Sequence, residues 1–228
     1  MQTEKAVVIF SGGQDSTTCL FWAIEKFSSE NVMAISFSYG QRHSAELDAA
    51  AEICSKNDIK HVILPTNIYS FFEAVPFMKA VNCSLLDNEL EIQKEEDSEF
   101  PNSFVPYRNL LFLVNAAIAA KFFGAKNLVI GVSQVDYSGY PDCRAEFIYE
   151  TQELLKTAIS EDVIIHMPLI NLTKAETWEL SHELGVLDLV LHETVTCYNG
   201  IKGEGCKECP ACLLRKQGYL SFLESLKK

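Results

Sequence analysis

The sequence predicts an α/β fold: a parallel sheet with helices on both faces, followed by a small cysteine-rich C-terminal element. Three observations predict it. Short β-branched runs alternate with stretches of helical spacing, the pattern of parallel strands joined by crossover helices. A glycine pair, Gly12 and Gly13, stands between the first strand-like run and the first helix. Four cysteines fall close together near the C-terminus, at 197, 206, 209 and 212. The 228 residues suffice for one ordinary core with an appendage. The division drawn is an α/β unit over 1–195, then a metal-binding element with a C-terminal helix over 196–228.

The elements follow in order. KAVVIF (5–10) reads as a buried strand. Thr17 to Phe27 has helical spacing, with Leu20, Phe21, Ile24 and Phe27 on one face. NVMAISFSYG (31–40) is a second strand, SAELDAAAEICSKN (44–57) an amphipathic helix, and KHVILP (60–65) a third strand stopped by Pro65. Residues 66–107 are less regular. Order resumes with RNLLFLVNAAIAAKFF (108–123), a long and largely buried helix with Gly124 at its C-cap. KNLVIGV (126–132) is a strand, CRAEFIYETQELLKTAI (143–159) a helix, and VIIHMPL (163–169) a strand. TKAETWELSHELG (173–185) opens on a capping box of Thr173 and Glu176.

Composition narrows the function. The formal charge is -12 and the pI about 4.9. A chain this acidic is poorly suited to grip a phosphate backbone, so a small-molecule substrate is expected and a nucleic-acid partner is not. Half of that charge comes from 87–100, where seven acids accompany one lysine; this reads as a solvated surface excursion. The opening MQTEKAVVIF lacks a signal-peptide core, and the apolar stretch 110–125 is interrupted by Asn115 and Lys121. A cytoplasmic chain with no membrane span is expected. In a reducing compartment its eight cysteines are metal ligands, thiols or small core residues rather than disulfides.

FSGGQDSTT, covering Phe10, Ser11, Gly12, Gly13, Gln14, Asp15, Ser16, Thr17 and Thr18, sits where a parallel sheet binds ligands, between strand and helix. Glycines let the backbone approach an anion, and the helix N-terminus presents N–H groups to it. A Walker loop would carry a lysine for the β- and γ-phosphates; here Asp15 stands instead. A carboxylate beside phosphates needs magnesium or a cation between them. The loop therefore suits a leaving pyrophosphate, with attack at the α-phosphate of ATP and an adenylated intermediate.

Cys197, Cys206, Cys209 and Cys212 form a C-x8-C-x2-C-x2-C array. Four thiolates complete a tetrahedral Zn2+ site and leave no open position, so the zinc is expected to be structural; an iron–sulfur cluster is the alternative. Four polar clusters lie at the expected ligand-binding ends: YGQRH (39–43), VPYRN (105–109), GVSQVDYSGYPDCR (131–144) and LTK (172–174). Arg42, Arg108, Arg144 and Lys174 offer positive charge for phosphates or a carboxylate. Asp136 and Asp142 suit a guanine-like N–H edge, and Tyr137 and Tyr140 suit stacking on a flat ring. Asp15, Arg108, Arg144 and Lys174 are the catalytic candidates; Arg42, Asp136, Tyr137, Tyr140 and Asp142 are the substrate-binding ones. His43 is a candidate proton carrier by position.

The first motif resembles the pyrophosphate loop of the N-type ATP pyrophosphatases, with their adenine nucleotide alpha hydrolase-like fold. Taken in order, SGGQDS, YGQRH, VPYRN, VDYSGYPDCR and the cysteine array followed by LLR resemble the 7-cyano-7-deazaguanine synthase family of queuosine biosynthesis. The resemblance runs from Phe10 to Arg215. It implies ATP-dependent conversion of 7-carboxy-7-deazaguanine and ammonia to the nitrile, through an adenylated carboxylate and an amide, in a homodimer. Whether AMP or ADP is released stays open at this point. A tRNA-thiolating enzyme of the same superfamily, with Cys143 as its thiol, is the rival reading; a zinc-stapled nucleotide-binding module without catalysis is another.

Overall fold

The structure is a computed structural model that describes residues 4–41, 44–73, 83, 85–86, 103–135 and 140–227. The acidic stretch 87–100, and with it Arg42, His43, Asp136 and Tyr137, lies outside the described residues. Five parallel strands form one sheet: β1 (Ala6–Ile9), β2 (Val32–Ser38), β3 (Lys60–Pro65), β4 (Asn127–Val129) and β5 (Ile164–His166). Their order is β3-β2-β1-β4-β5. β1 is central, with Val7 paired to Met33 on one side and to Leu128 on the other.

The pleat of β1 divides the core. Ala6, Val8 and Phe10 point to the face covered by α1 (Gln14–Phe27) and α2 (Ala45–Lys56), against Leu20, Ala23 and Ile53. Val7 and Ile9 point to the face covered by α4 (Arg108–Phe123) and α5 (Ala145–Ile159), against Leu113, Ala116 and Ile148. Between them lie α3 (Ile68–Glu73) in sequence, and after them α6 (Lys174–Glu183), α7 (Leu187–Glu193) and α8 (Pro210–Ser225). A separate apolar knot of Trp178, Val190 and Phe222 joins these last three helices. The expected α/β architecture, with helices on both faces, is therefore the one seen. No helix among the described residues is long and apolar enough to cross a membrane.

Several boundaries shift for local reasons. α1 begins at Gln14, three residues before the expected Thr17, because Gly13 is the N-cap and its carbonyl accepts from both the N–H and hydroxyl of Thr17 (3.0 and 2.7 Å). β4 and β5 are shorter than their apolar runs; after β4, Ile130 to Ser133 line a cleft. α4 spans the expected residues, ended by Gly124 at φ 73°. The helices α3 and α7 were not anticipated. α7 is seven residues long and lacks a side-chain N-cap, so it carries little local signal.

Candidate active site

Successive connections leave β1 in opposite directions: β2 and β3 lie on one side, β4 and β5 on the other. That reversal opens a crevice at the strands' carboxyl ends, where ligands bind in such sheets. A cleft of about 350 Å³ lies there. Phe10, Ser11, Gly13, Gln14, Asp15 and Ser16 form one wall. Gly12 holds φ +77°, and a Cβ there would run into the Glu46 carbonyl and sit 2.9 Å from the Ala50 nitrogen. Only glycine lets the loop pass this close to α2. Ser16 Oγ accepts from the Ser11 N–H (3.2 Å) and lies 3.0 Å from Ser11 Oγ, so the two hydroxyls face the cleft as a linked pair.

Not every residue of the motif meets the cleft. Thr17 and Thr18 are fully buried. Thr18 Oγ1 bonds back to the Gln14 carbonyl and to Ser181 of α6, bracing the helix from behind. Gln14 is different. Its side chain is 1% exposed, yet neither amide atom has a partner among the described residues. A buried, unsatisfied amide costs about 1–3 kcal/mol of stability.

Asp15 and Lys174 form the charged centre. Lys174 Nζ lies 2.9 Å from each carboxylate oxygen of Asp15. The lysine side chain is 10% exposed and the aspartate 34%. α6 aims the lysine: Thr173 caps the helix through the Glu176 N–H, and Glu176 returns the bond to the Thr173 N–H at 2.7 Å. The capping box thus sets the first residue of α6, which is Lys174. The loop carries no lysine of its own, and the fold brings Lys174 to Asp15 from 159 residues away.

The opposite wall is aromatic around one guanidinium. Phe37 and Phe112 stack at 4.2 Å and 9°, and Tyr39 tilts onto Phe112. Arg108, at the start of α4, faces Tyr39, Asp142, Cys143 and Tyr140. Burial works against its charge, but those neighbours outweigh burial and hold it above the ordinary arginine value. Tyr140 lines the same cleft, with its hydroxyl 2.6 Å from Ser103 Oγ. Cys143 is also there; burial and the Asp142 charge push its thiol up to about 12, so it is a neutral thiol at physiological pH.

The four C-terminal cysteines converge. Their sulfurs all lie within 4.8 Å of one another, with Cys206 and Cys212 3.9 Å apart. Four sulfurs on a tetrahedral zinc at about 2.3 Å would stand about 3.8 Å apart, so the donor set fits. Backbone N–H groups of Asn199 and Cys206 point at Cys197 Sγ, and that of Cys209 at Cys206 Sγ. Burial alone would raise the Cys206 thiol, but the N–H groups of Cys209 and Glu208 outweigh it and bring it to about 6.

A family model described as "Queuosine biosynthesis protein QueC" matches residues 5–223. The chain belongs to that family. This chain is 51% identical over 223 residues to a 7-cyano-7-deazaguanine synthase of Clostridium botulinum (strain Loch Maree / Type A3), covering 97% of each chain. It is 48% identical over 225 residues to that of Clostridium novyi (strain NT), covering 98% of this chain and 97% of the other. Among solved structures, the NH3-dependent NAD synthetase of Campylobacter jejuni overlays on 83% of this chain and 68% of its own, with 14% identity and a TM-score of 0.47.

Of the residues singled out in sequence, the cleft gathers Phe10, Ser11, Gly13, Gln14, Asp15, Ser16, Arg108, Tyr140 and Lys174, with Cys143 and Cys197 also on its lining. Arg144 and Asp142 line an adjacent hollow of about 470 Å³ with Phe104, Tyr107 and Glu150. Asp142 is 7% exposed; Asn109 donates its N–H to the carboxylate (3.4 Å) and its side-chain amide to the Asp142 carbonyl (3.2 Å). Burial raises its carboxyl, and Arg108 pulls the other way. Sequence reasoning passed over Asn109, Gln41, Thr196 and Arg215 as cleft residues. The first two stand inside quoted motifs, and Arg215 ends the LLR tripeptide; only Thr196 lacked any signal.

Proposed function

We propose that this chain converts 7-carboxy-7-deazaguanine and ammonia to 7-cyano-7-deazaguanine at the expense of ATP. The observation that carries the reading is the single cleft in which a pyrophosphate-type loop faces Arg108 and an aromatic wall. The substrate carboxylate is a poor electrophile. Its oxygen attacks the α-phosphorus of ATP, and pyrophosphate leaves onto Ser11, Ser16 and the N–H groups opening α1. Ammonia then attacks the acyl carbon, loses a proton and expels AMP, leaving the amide. The amide oxygen then attacks the α-phosphorus of a second ATP, releasing pyrophosphate and one N–H proton, and expulsion of AMP with the second N–H proton gives the nitrile. Lys174 and Arg108 offset the charge developing on phosphate and carboxylate.

Tyr39, Tyr140 and the Phe37–Phe112 stack suit a flat deazaguanine, with Arg42, Asp136, Tyr137 and Asp142 assigned to the same substrate, and Arg144 to catalysis, from their motifs. Asp15 offers the hard oxygen ligand that Mg2+ accompanying ATP favours. Zn2+ at the four cysteines, when bound, supplies a structural staple. The neutral Cys143 thiol supports the synthase over a thiolase, which would need that sulfur as a nucleophile. A cytoplasmic enzyme with no nucleic-acid partner is the setting proposed. Homodimer formation is supported by α4, whose outer side exposes Val114, Ile118 and Phe122 at four-residue spacing. The parts 1–195 and 196–228 act together.

Mass spectrometry tests the reading. Protein mixed with ATP, magnesium, ammonium and 7-carboxy-7-deazaguanine should yield the nitrile and AMP. ADP in place of AMP would remove the adenylation steps. An unchanged base, with tRNA bound instead, would replace the reading by the thiolase.

A further inference from the structure

Between the phosphate loop and the four cysteines lies a buried cation that the reaction above leaves unused. Arg215 stands on α8, three residues beyond Cys212, and is 4% exposed. Its Nη1 donates to Thr194 Oγ1 (2.7 Å) and Thr196 Oγ1 (2.8 Å). Its Nη2 donates to the carbonyls of Val190 (2.8 Å) and Leu191 (3.0 Å). All four acceptors are neutral. Trp178 donates its indole N–H to the Arg215 carbonyl at 3.2 Å, and the guanidinium carbon lies 5.1 Å from the Trp178 ring. Burial lowers the guanidinium to about 10, opposed by Asp15 and Cys212, so it stays charged at neutral pH. A buried charge held only by neutral groups is costly unless an anion completes it.

Its surroundings point to that anion. Thr196 Oγ1, which accepts from Arg215, also accepts from the Gln14 N–H at 3.1 Å. The neighbouring Val195 N–H donates to the Gly12 carbonyl at 2.9 Å. Thr196, which Arg215 holds, and Val195, which lies between the two threonines that Arg215 holds, therefore contact the loop on either side of its glycine pair. Arg215, Thr196 and Gln14 all line the cleft. The same helix also seats the second cation. Gly218 packs so tightly on α6 that a Cβ would lie 2.5 Å from Lys174 Cγ. α8 starts between Cys209 and Cys212, so the cysteine site fixes the end of the helix that carries Arg215.

We propose that Arg215 is a positioning residue for the nucleotide phosphates: it fixes Thr196, and through it the first N–H of α1, and adds the positive charge that the lysine-free loop does not carry. The proposal rests on the reading of the loop as the ATP site. The metal-loaded protein tests it, with calorimetric binding of ATP and of adenosine, metal content and thermal midpoint measured for R215M, T196V and T194V. Thr196→Val keeps the shape and removes the shared acceptor; Thr194→Val removes an Arg215 partner that does not touch the loop. R215M and T196V should retain their metal and bind ATP at least tenfold more weakly, while adenosine, which has no phosphate, changes by less than twofold. T194V should bind both as the parent does. In turnover the KM for ATP should rise more than kcat falls. Unchanged ATP affinity in T196V overturns the proposal, as does adenosine affinity falling in step with that for ATP. Should R215M fail to fold, T196V decides alone. A parent protein that binds no ATP overturns the nucleotide reading and this one together; a parent that binds ATP alongside variants that bind it equally overturns only the role of Arg215.

Discussion

Lys174 reaches Asp15 with both carboxylate oxygens at 2.9 Å, and this pair governs the loop's electrostatics. Lys174→Met would leave the carboxylate uncompensated against incoming phosphates. We expect kcat/KM to fall by about 10²–10³, the loss seen when one preorganised transition-state donor is removed. Gln14 makes the opposite kind of prediction. Its amide is buried and unpartnered among the described residues. Gln14→Met should raise stability by about 1 kcal/mol, measured by denaturant unfolding, while weakening ligand binding. An unchanged affinity would assign the amide to the scaffold. Acid sensitivity also resides in single residues. Burial holds the His166 ring down to about 4, and lowers His61 as well. Both stay neutral in the fold while the unfolded chain protonates near 6.5. The contribution of His166 is present above that value and is lost as pH falls toward 4, and His61 acts in the same direction. The thermal midpoint should fall between pH 7 and pH 5, and H166Q should flatten that slope.

At the level of elements, the capping box of α6 is both a fold signal and a site device. Thr173→Ala should cost about 1 kcal/mol, or about 2–4 °C in thermal midpoint for a chain of this size. Because the box fixes Lys174, activity should fall further than the loss of stability accounts for; a midpoint shift with unchanged kcat/KM would separate the two. The box was legible in sequence because both partners lie within one turn. So was α4, whose end is fixed by Gly124. α1 was read three residues short because glycines weigh against helix, although Gly13 serves only as its cap. The cleft shows the same limit. Its loop, Arg108 and Tyr140 stand in contiguous motifs and could be read. Thr196 reaches the loop across 182 residues of chain, with Arg215 behind it, and only tertiary packing brings them there.

The whole molecule couples a sheet, a cleft and a cysteine site through α8. Chelating the metal should free the start of that helix and lower the thermal midpoint by about 10 °C, since metal-binding free energy adds to folding stability. A midpoint unmoved by chelation, with the metal shown to be gone, would leave the cysteines without a structural part. The apolar side of α4 makes a separate prediction. Ile118→Asp should turn the proposed dimer into a monomer on sedimentation without altering the far-ultraviolet spectrum; a parent that sediments as a monomer would remove the dimer. The packing of Trp178 also has a practical side. It is 0% exposed and lies beneath the Arg215 guanidinium, whereas the other tryptophan, Trp22, sits on α1 beside Lys26 and His166. The protein thus carries its own optical gauge. Loosening of α8 would wet one indole and shift its emission to longer wavelength, while Trp22 supplies a steady background, so the state of the cysteine end can be followed in a cuvette with no dye attached.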